Sequence, residues 1–521
     1  MNTLDALIGF FSPEAGLRRV QARRALRIAA AYEAAKPSRL RKNPADNRSG
    51  DLVADGDVET LRGQARHLEQ NHDFAFGILT TLVNNVVGPR GIDVEFQPKT
   101  WDGEIHDELA ARMNALYREW AHRPECTRQF SWAKTQRLLC NTWLRDGEVL
   151  MRHLQGSVPG LKHRTATPYS IECLEPDFLP VDYNDPGRRI VQGVEKSAWG
   201  EANAYWLCDE HPGASLNWRM KRRRHNAANI EHLKFVRRLH QTRGVSIFAA
   251  VMNRLNDIKD YEENERVAAK IASAMVGFIQ KGSPELYEQH EDWDENGNRT
   301  LDIRAGAIYD DLRPGESVGT IQSNRPSGLL TPFLETMQRM AAAGTLASFS
   351  SISKNYNGTY SAQRQELVEQ WSAYETLSLE FCEEIVEPAV RRWVQMGLLA
   401  DALAVPAEVD PESLLHLDFI TPVMPWIDPV REASADETLL ENVLASPQQT
   451  IRRRGKKPED VLKQTAAWQK NCKTRGLPPR SNALPFPHNR PNLNLNRRQL
   501  CLKILVQHHR CRRQRSRYLC V

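Results

Sequence analysis

Five carboxylates stand within nine residues of one segment that has helical spacing: Asp257, Asp260, Glu262, Glu263 and Glu265. A row of negative charge suits a wall along which DNA must slide, because every phosphate that Lys or Arg neutralises adds affinity and would hold the duplex back. The same row is also the ordinary solvated face of an amphipathic helix. Taken alone, the residues leave both interpretations open, and the solvated face is the more common one.

Two further groups could contact phosphates without reading a base sequence. One is a polar stretch, 348–360, in which hydroxyl, amide and ammonium groups follow one another: Ser350, Ser353, Lys354, Asn355, Tyr356 and Asn357. The other is the basic run of Arg452, Arg453 and Arg454. Such groups bind the backbone of nucleic acid rather than its base edges. The alternatives are a mobile loop for the first group and a solvated face for the second.

The motifs of common enzymes and metal proteins are incomplete or missing. Asp292–Gly297 resembles the start of a calcium loop, but Ile303 stands at the twelfth position, where a bidentate Glu is needed, so a hairpin turn is predicted. Ser351–Lys354 matches SxxK without its KTG and SDN companions. The sequence contains no GxxxxGK[ST], GxGxxG, HExxH or GxSxG. We therefore expect no catalytic residue, no cofactor and no metal.

The nine cysteines show no CxxC spacing, which predicts free thiols in a reducing compartment. The Cys and His residues near the end of the chain match no common zinc module: Cys501, His508, His509, Cys511 and Cys520.

Net charge is unevenly distributed along the chain. Residues 480–521 hold ten Lys/Arg and no Asp/Glu, so the formal charge of +5 becomes −5 for the remainder. Residues 1–50 are also basic, with ten Lys/Arg against four Asp/Glu. A strongly basic DNA-binding body is therefore excluded, although a basic end could still contact nucleic acid. Mean hydropathy is −0.55 and every apolar stretch is shorter than a membrane span, so no membrane partner is expected.

Helical and extended patterns alternate along the chain and predict an α+β fold. Residues 37–57 are predicted as a linker, and Pro388 should kink or split one long helix. Ser446 before Pro447 is a candidate helix cap. Helices are predicted over 14–36 (basic and amphipathic), 57–87, 103–121, 130–145, 246–279, 330–346, 361–396 and much of 430–470. Strands are predicted over 92–97, 148–154, 169–174, 190–195 and 204–208.

Several short strings, in order over about 4–475, make the chain resemble the lambda family of phage portal proteins. The most specific is QTRGVS (241–246), which leads into the long helix with YE (261–262) and AAKIA (268–272). The others are LIGFFSPEAGLRR (7–19), VNNVVG (83–88), DGEV (146–149), LEPD (174–177), RPGE (313–316), TYS (359–361) with Arg364, and PWIDP (425–429). Each string is weak alone, and their order and spacing carry the resemblance.

The resemblance implies a portal-type fold with long stem helices, a mixed α/β wing, a small clip and a helical crown. Along this chain it implies a basic arm (1–56), a wing (57–245), a first stem helix (246–281), a clip (282–326) and a second stem helix (327–347). A tunnel loop with a kinked wing helix (348–430), a crown (431–479) and a basic tail (480–521) follow. The tail departs from the family, and either a shifted reading frame or a genuine binding tail would explain it.

The resemblance also implies a role. The chain would be a non-enzymatic subunit of a ring of about twelve copies at the capsid vertex of the virion, assembled in the host cytoplasm. The ring would pass double-stranded DNA without sequence preference and would bind terminase, capsid or scaffold proteins and head–tail connector proteins. The acidic row would be channel wall, 348–360 the tunnel loop, and Arg452–Arg454 a crown contact with DNA. The alternatives are a minor head or scaffold protein without a channel and, less favoured, a DNA-processing nuclease.

Overall fold

The structure is a computed structural model that describes residues 47–214, 221–273, 277–281, 316–320, 330–425 and 428–474. The chain forms two compact units, the first ending at Leu444 and the second beginning at Ala445. The predicted arm helix (14–36), the calcium-like loop (292–303), the 480–521 tail and most of the predicted clip lie outside the described residues. No described helix combines the length and the apolar character that crossing a membrane requires.

Four helices open the first unit: α1 (Gly50–Asn71), α2 (Asp73–Val86), α3 (Asp107–His122) and α4 (Trp132–Asp146). They confirm the helical segments predicted over 57–87, 103–121 and 130–145. The predicted linker is wrong over its last eight residues, because the Ser49 hydroxyl accepts the Leu52 amide and starts α1 at Gly50. Such a cap satisfies an amide that the first helical turn leaves unpaired, and it outweighs the helix-breaking composition of this stretch.

Two antiparallel sheets follow. The predicted apolar runs supply five of their seven strands, whereas the strands at 222–226 and 230–234 were not predicted. The first has the order β3-β2-β8 and the second the order β4-β5-β6-β7. The predicted 190–195 strand is a hairpin, because Gln192 and Gly193 both have positive φ, which gives the turn that matches strand twist. The strands are β2 (Glu148–Gln155), β3 (Tyr169–Leu174), β4 (Ile190–Val191), β5 (Val194–Lys196), β6 (Ala202–Cys208), β7 (Arg222–Asn226) and β8 (Ile230–Lys234).

The helix predicted over 246–279 is shorter than expected. A 3-10 turn, Ile247–Ala250, precedes α5 (Met252–Ser273), and Gly277–Lys281, predicted as the helix end, is strand β9. Strand β9 pairs antiparallel with β10 (Glu316–Thr320). The apolar period of three and four that suggested a continuous helix does not distinguish a helix end from a short strand.

Helix α6 (Leu330–Gly344) confirms the helix predicted over 330–346 and returns along α5. Tyr261 and Phe333 meet with ring centroids 5.0 Å apart. A side chain on Gly344 would come within 2.5 Å of Val251. Early residues of α5 therefore face late residues of α6, and the two helices run antiparallel.

The long helix predicted over 361–396 is interrupted before its proline, as expected. It consists of α8 (Tyr360–Phe381), a π-helical turn at Cys382–Val386, and α9 (Glu387–Leu399), and it follows the short helix α7 (Phe349–Ser353). Pro388 lacks an N–H and its ring crowds the carbonyl four residues earlier, so the regular ladder cannot pass through it. A π-helical turn is one of the recognised causes of a helix kink.

Two strands that lie far apart in the sequence pair with each other in the first unit. Strand β1 (Asp93–Phe96), predicted from the sequence, pairs with β11 (Leu417–Ile420), which no local pattern had indicated. Beneath it, Phe96, Tyr117 and Trp393 form an aromatic cluster with centroids 5.4 to 5.6 Å apart. These rings join β1, α3 and α9 in one core. Trp393 is fully buried, as its helical stripe predicted, whereas Trp371 is only half-buried.

The predicted helical region after 430 is confirmed as well. Helix α10 (Pro429–Glu441) ends the first unit. In the second unit, α11 (Pro447–Arg452) begins at the predicted cap, where Ser446 and Gln449 bond each other's backbone amides. Helix α12 (Pro458–Thr474) follows.

Replacing Trp393 by Ala should lower the free energy of unfolding by roughly 3–5 kcal/mol, because it removes a buried ring and leaves a cavity. Trp199 is the matched control, since 97% of its surface is exposed and Trp199→Ala should change little. Urea denaturation of both variants measures the difference. Similar losses in the two variants would show that the aromatic cluster is not a core of the fold.

Candidate functional site

A fully buried carboxylate, Glu148, lies at the start of β2, one residue beyond the glycine that ends α4. The Arg243 guanidinium binds it at 2.6 Å (Nη2–Oε1) and 2.9 Å (Nε–Oε1). Arg62 of α1 donates to Oε1 at 2.9 Å, and His232 of β8 lies 3.1 Å from Oε2. The Gly244 amide donates to Oε2 at 2.9 Å. This cluster, here called the charge network, joins four separate segments of the chain.

Arg243 is as deeply buried as Glu148, and its remaining donors bond to backbone carbonyls. Nη1 donates to Leu179 at 2.9 Å and to Gln192 at 3.2 Å, and Nη2 donates to Pro176 at 3.3 Å. Burying a charge is costly unless it is paired and hydrogen-bonded. Both buried charges meet that condition, because Glu148 and Arg243 are paired with each other and each has further hydrogen-bond partners.

A second set of charges surrounds the network. Buried Asp146, the last residue of α4, accepts from Arg66 and Arg145, each at 2.7 Å. Arg66 also binds Asp177, which follows β3 and has a lowered pKa: burial opposes ionisation, but the Arg66 hydrogen bond and nearby Arg62 outweigh it. Hydrogen bonds from Arg66 thus connect the end of α4 and the segment after β3 to α1.

Two glycines allow this arrangement. Gly147 has φ of +91°, and a side chain there would come within 2.3 Å of the Val245 backbone. A Cβ on Gly244 would lie 1.9 Å from the Gly147 carbonyl oxygen. Because neither position has room for a side chain, the backbone after α4 and the backbone before α5 touch directly.

Protonation states in the network follow from burial and from these partners. Burial alone would raise the pKa of Glu148, but Arg243 and His232 hold it well below its ordinary value. Burial lowers the pKa of His232 to about 4, and its bond to Glu148 only partly opposes this. Near neutral pH Glu148 is therefore charged and His232 is neutral, donating one N–H to the carboxylate.

The charge network and the charges around it include residues from three of the strings on which the family resemblance rests: DGEV (146–149), LEPD (174–177) and QTRGVS (241–246). Sequence reasoning gave these residues no structural role. Nothing local indicates that Glu148 and Arg243 meet, because 95 positions separate them. The available signal was that charged residues stood beside glycines in strings that were specific to the family.

One group near the network has the ligand types of a metal site. Glu175, Asp177 and His211 bring ligand atoms within 4.8 Å of one another. However, Arg66 Nη2 lies 2.5 Å from the Asp177 carboxylate and 3.8 Å from that of Glu175. A guanidinium already supplies the positive charge there, so a metal ion would have to displace it.

The predicted acidic row lies on α5, but the helix distributes its members over different sides. Asp257, Asp260 and Glu263 are exposed and follow one another at intervals of three, so they form a stripe, here called the acidic stripe. Glu265 is buried, and Glu262 is half-buried with its pKa raised, first by burial and then by nearby Asp73. Glu265 therefore lies off the exposed face of the stripe and Glu262 is only partly on it, and a channel wall on α5 stays a prediction.

The predicted tunnel loop is partly helical, because Ser350 and Ser353 belong to α7. Ser350 donates its amide and hydroxyl to Glu366 on α8, and the Ser353 hydroxyl bonds back to Phe349. Asn355 donates to Glu335 at 3.1 Å. Lys354, Tyr356 and Asn357 are exposed. Of the six residues, three are engaged within the fold and three face outward.

The basic run Arg452–Arg454 differs in its surroundings from a second arginine run in the chain, at 222–224. Arg222, Arg223 and Arg224 lie on β7 and pair with Asp182, Asp209 and Glu195, as a solvated face predicts. In the second unit, Arg453 and Arg454 are exposed and Arg452 is half-buried at the end of α11.

Replacing Glu148 by Gln should lower the free energy of unfolding by roughly 3–5 kcal/mol, because two buried guanidinium groups lose their countercharge. Glu195→Gln is the matched control, since it removes an ion pair with Arg224 at the surface, where such pairs contribute little. Urea denaturation at pH 7 compares the two. An equal, small effect of both changes would contradict the role given to the charge network.

His232 should make the fold less stable as the pH falls from about 6.5 to about 4. In the unfolded chain the His232 imidazole binds a proton near pH 6.5, whereas in the folded chain it binds one only near pH 4. Protonation in this window therefore favours unfolding. In His232→Gln, which keeps a donor for Glu148 but does not titrate, denaturation midpoints should decline less steeply with falling pH. Parallel curves for the two proteins would disprove this linkage.

The chain matches known proteins over most of its length. The family model described as phage portal protein, lambda family, matches residues 36–377. A probable portal protein of Halomonas phage phiHAP-1 is 26% identical over 447 residues, covering 82% of this chain and 83% of the relative.

Among solved structures, the neck of a native gene transfer agent particle, computed with C12 symmetry, matches with a TM-score of 0.39 and 14% identity. It covers 78% of this chain and 97% of the other. A chain of the native gene transfer agent virion matches with a TM-score of 0.38, 14% identity and coverage of 82% and 99%. The family match, which spans well over half of the residues, decides the assignment: the chain belongs to the lambda family of phage portal proteins.

Proposed function

We propose that this protein is one subunit of a ring at the capsid vertex, through which double-stranded DNA is packaged and later ejected. The family match over 36–377 carries the proposal. In such a ring the copies contact one another head to tail, and the rotation between them closes. The protein acts without catalysis, while the enzyme that consumes ATP during packaging is a separate partner, the terminase.

The antiparallel pair of α5 and α6 supports the proposed stem. Tyr261 and Phe333 pack between the helices. Strand β9, which follows α5 in the chain, pairs antiparallel with β10, which precedes α6. We assign α5 and α6 to the two stem helices, 57–245 to the wing, 282–326 to the clip and 431–479 to the crown. Terminase and, later, connector proteins would bind at the clip, and capsid or scaffold proteins at the ring's outer surface.

The chemistry of α5 supports a channel wall built on the acidic stripe. A translocating duplex must not adhere, and exposed carboxylates offer its phosphates no countercharge. Asp257, Asp260 and Glu263 meet this requirement, because none has a basic side chain within ion-pairing distance among the described residues. We propose Lys354, Tyr356 and Asn357 as the tunnel-loop residues that face DNA, and Arg453 as a crown contact.

Two other functions, a minor head or scaffold protein and a nuclease, predict different experimental results. A minor head or scaffold protein would form no closed ring. A nuclease needs clustered carboxylates that hold metal ions, and the cluster near Asp177 is occupied by Arg66. Negative-stain electron microscopy of the purified full chain separates these functions. Closed rings with a central hole wide enough for duplex DNA support the portal, whereas monomers or open aggregates, also after deletion of 480–521, would contradict it.

Replacing the three carboxylates of the acidic stripe by lysines should make α5 bind DNA instead of letting the duplex move past. The triple change Asp257→Lys, Asp260→Lys and Glu263→Lys should make rings retain linear DNA at low salt, with retention that falls steeply as salt rises. The matched control places the same three charges on exposed wing residues Asp102, Glu104 and Glu108. Equal retention by both variants in a salt series would show that α5 does not line the channel.

A further inference from the structure

An open groove lies between the end of α6 and the first half of α8. Its volume is about 490 Å³. Its lining is half apolar, from three alanines and Leu346, and half polar, from two glutamates and two glutamines: Ala343, Ala362, Ala373, Glu366, Glu369, Gln365 and Gln370. This volume lies within the range of roughly 300–1,000 Å³ that is typical of ligand-binding clefts.

The α8 side of the groove forms one helical face. Ala362, Glu366, Glu369 and Ala373 follow at intervals of four, three and four residues. Because alanines stand at both ends, another helix could approach α8 closely there, since the distance between packed helices depends on the side chains at the contact. Leu346 is 40% exposed and adds apolar surface opposite.

The middle of the groove is negatively charged. Burial opposes ionisation of Glu366, but hydrogen bonds from Ser350 and Ser348 lower its pKa, and Arg339 adds to the effect. Glu369 is exposed and accepts a hydrogen bond from Gln365 at 2.7 Å. The groove therefore suits a helix that combines apolar side chains with positive charge.

We propose that residues 14–36 of this chain occupy the groove. This segment lies outside the described residues and was predicted from its sequence as a basic amphipathic helix. It holds six Lys/Arg against two Glu, and helical spacing brings Leu17, Val20, Arg24 and Ile28 to one face. Arg24 would meet Glu369, while the apolar side chains would cover the alanines and Leu346.

The connection to the described fold limits where the segment can lie. Asn47 is the first described residue, and the ten residues 37–46 reach at most ~33–36 Å when extended. Helices α1, α2 and α7 pack in succession toward the groove: α1 packs on α2, and Gly77 of α2 contacts Ile352 of α7. The segment could occupy the groove of its own subunit or that of a neighbouring copy. The proposal does not depend on ring formation or on DNA.

Photo-crosslinking on the full-length protein tests the proposal. Benzoylphenylalanine replaces Ala362, at the rim of the groove, and mass spectrometry identifies the attached peptide. We expect peptides from residues 14–36. The matched control places the probe at Val368, which is exposed on α8 but outside the groove, and should give few such products. Products confined to other regions, or no product, would overturn the proposal.

A charge exchange tests the predicted pairing. Glu369→Lys should lower the crosslink yield by about fivefold, the change expected for loss of one exposed ion pair. Arg24→Glu in the same chain should restore it, because the pair is re-formed with opposite signs. A yield that neither change affects would overturn the proposal. Mixing ¹⁴N- and ¹⁵N-labelled protein identifies the copy that supplies the segment, and either copy is consistent with the proposal.

Discussion

The first unit depends on a buried ion pair between Glu148 and Arg243. An isolated charge in a protein interior costs several kcal/mol, so each member requires the other. Glu148 accepts from Arg62, Arg243, His232 and the Gly244 amide. Since these donors come from α1, β8 and the segment before α5, none of those elements can shift without breaking a hydrogen bond to the buried carboxylate.

This constraint fixes the geometry that the proposed function needs. The backbone after α4 touches the backbone before α5 at Gly147 and Gly244, where a side chain would collide with main-chain atoms. Helix α5 therefore begins at a point that the charge network and steric contact both define. The direction of α5 in turn sets where the acidic stripe faces, so in the proposed ring the charge network would determine how the proposed channel surface is presented.

The sequence predicted local structure well and tertiary placement poorly. Apolar spacing located the helices from 57 to 145 and most strands of the two sheets, but not β7 or β8, and Pro388 correctly marked the interrupted helix. It could not show that β1 pairs with β11, that Gly277–Lys281 is a strand, or that Glu265 points inward. Those features depend on contacts between distant residues. The charge network was missed for the same reason, although its residues stood within family-specific strings.

Hydrogen–deuterium exchange over 241–246 measures whether the buried ion pair between Glu148 and Arg243 holds this segment in the core. The amides of Thr242, Gly244 and Val245 donate to Asp51, Glu148 and Phe235. If the charge network holds this segment in the core, the amide hydrogens of its peptide exchange only when the whole fold opens, and their exchange rate equals that of global unfolding. Exchange as fast as that of the exposed turn at 197–201 would contradict the account, because it would show that the segment opens freely while the fold persists.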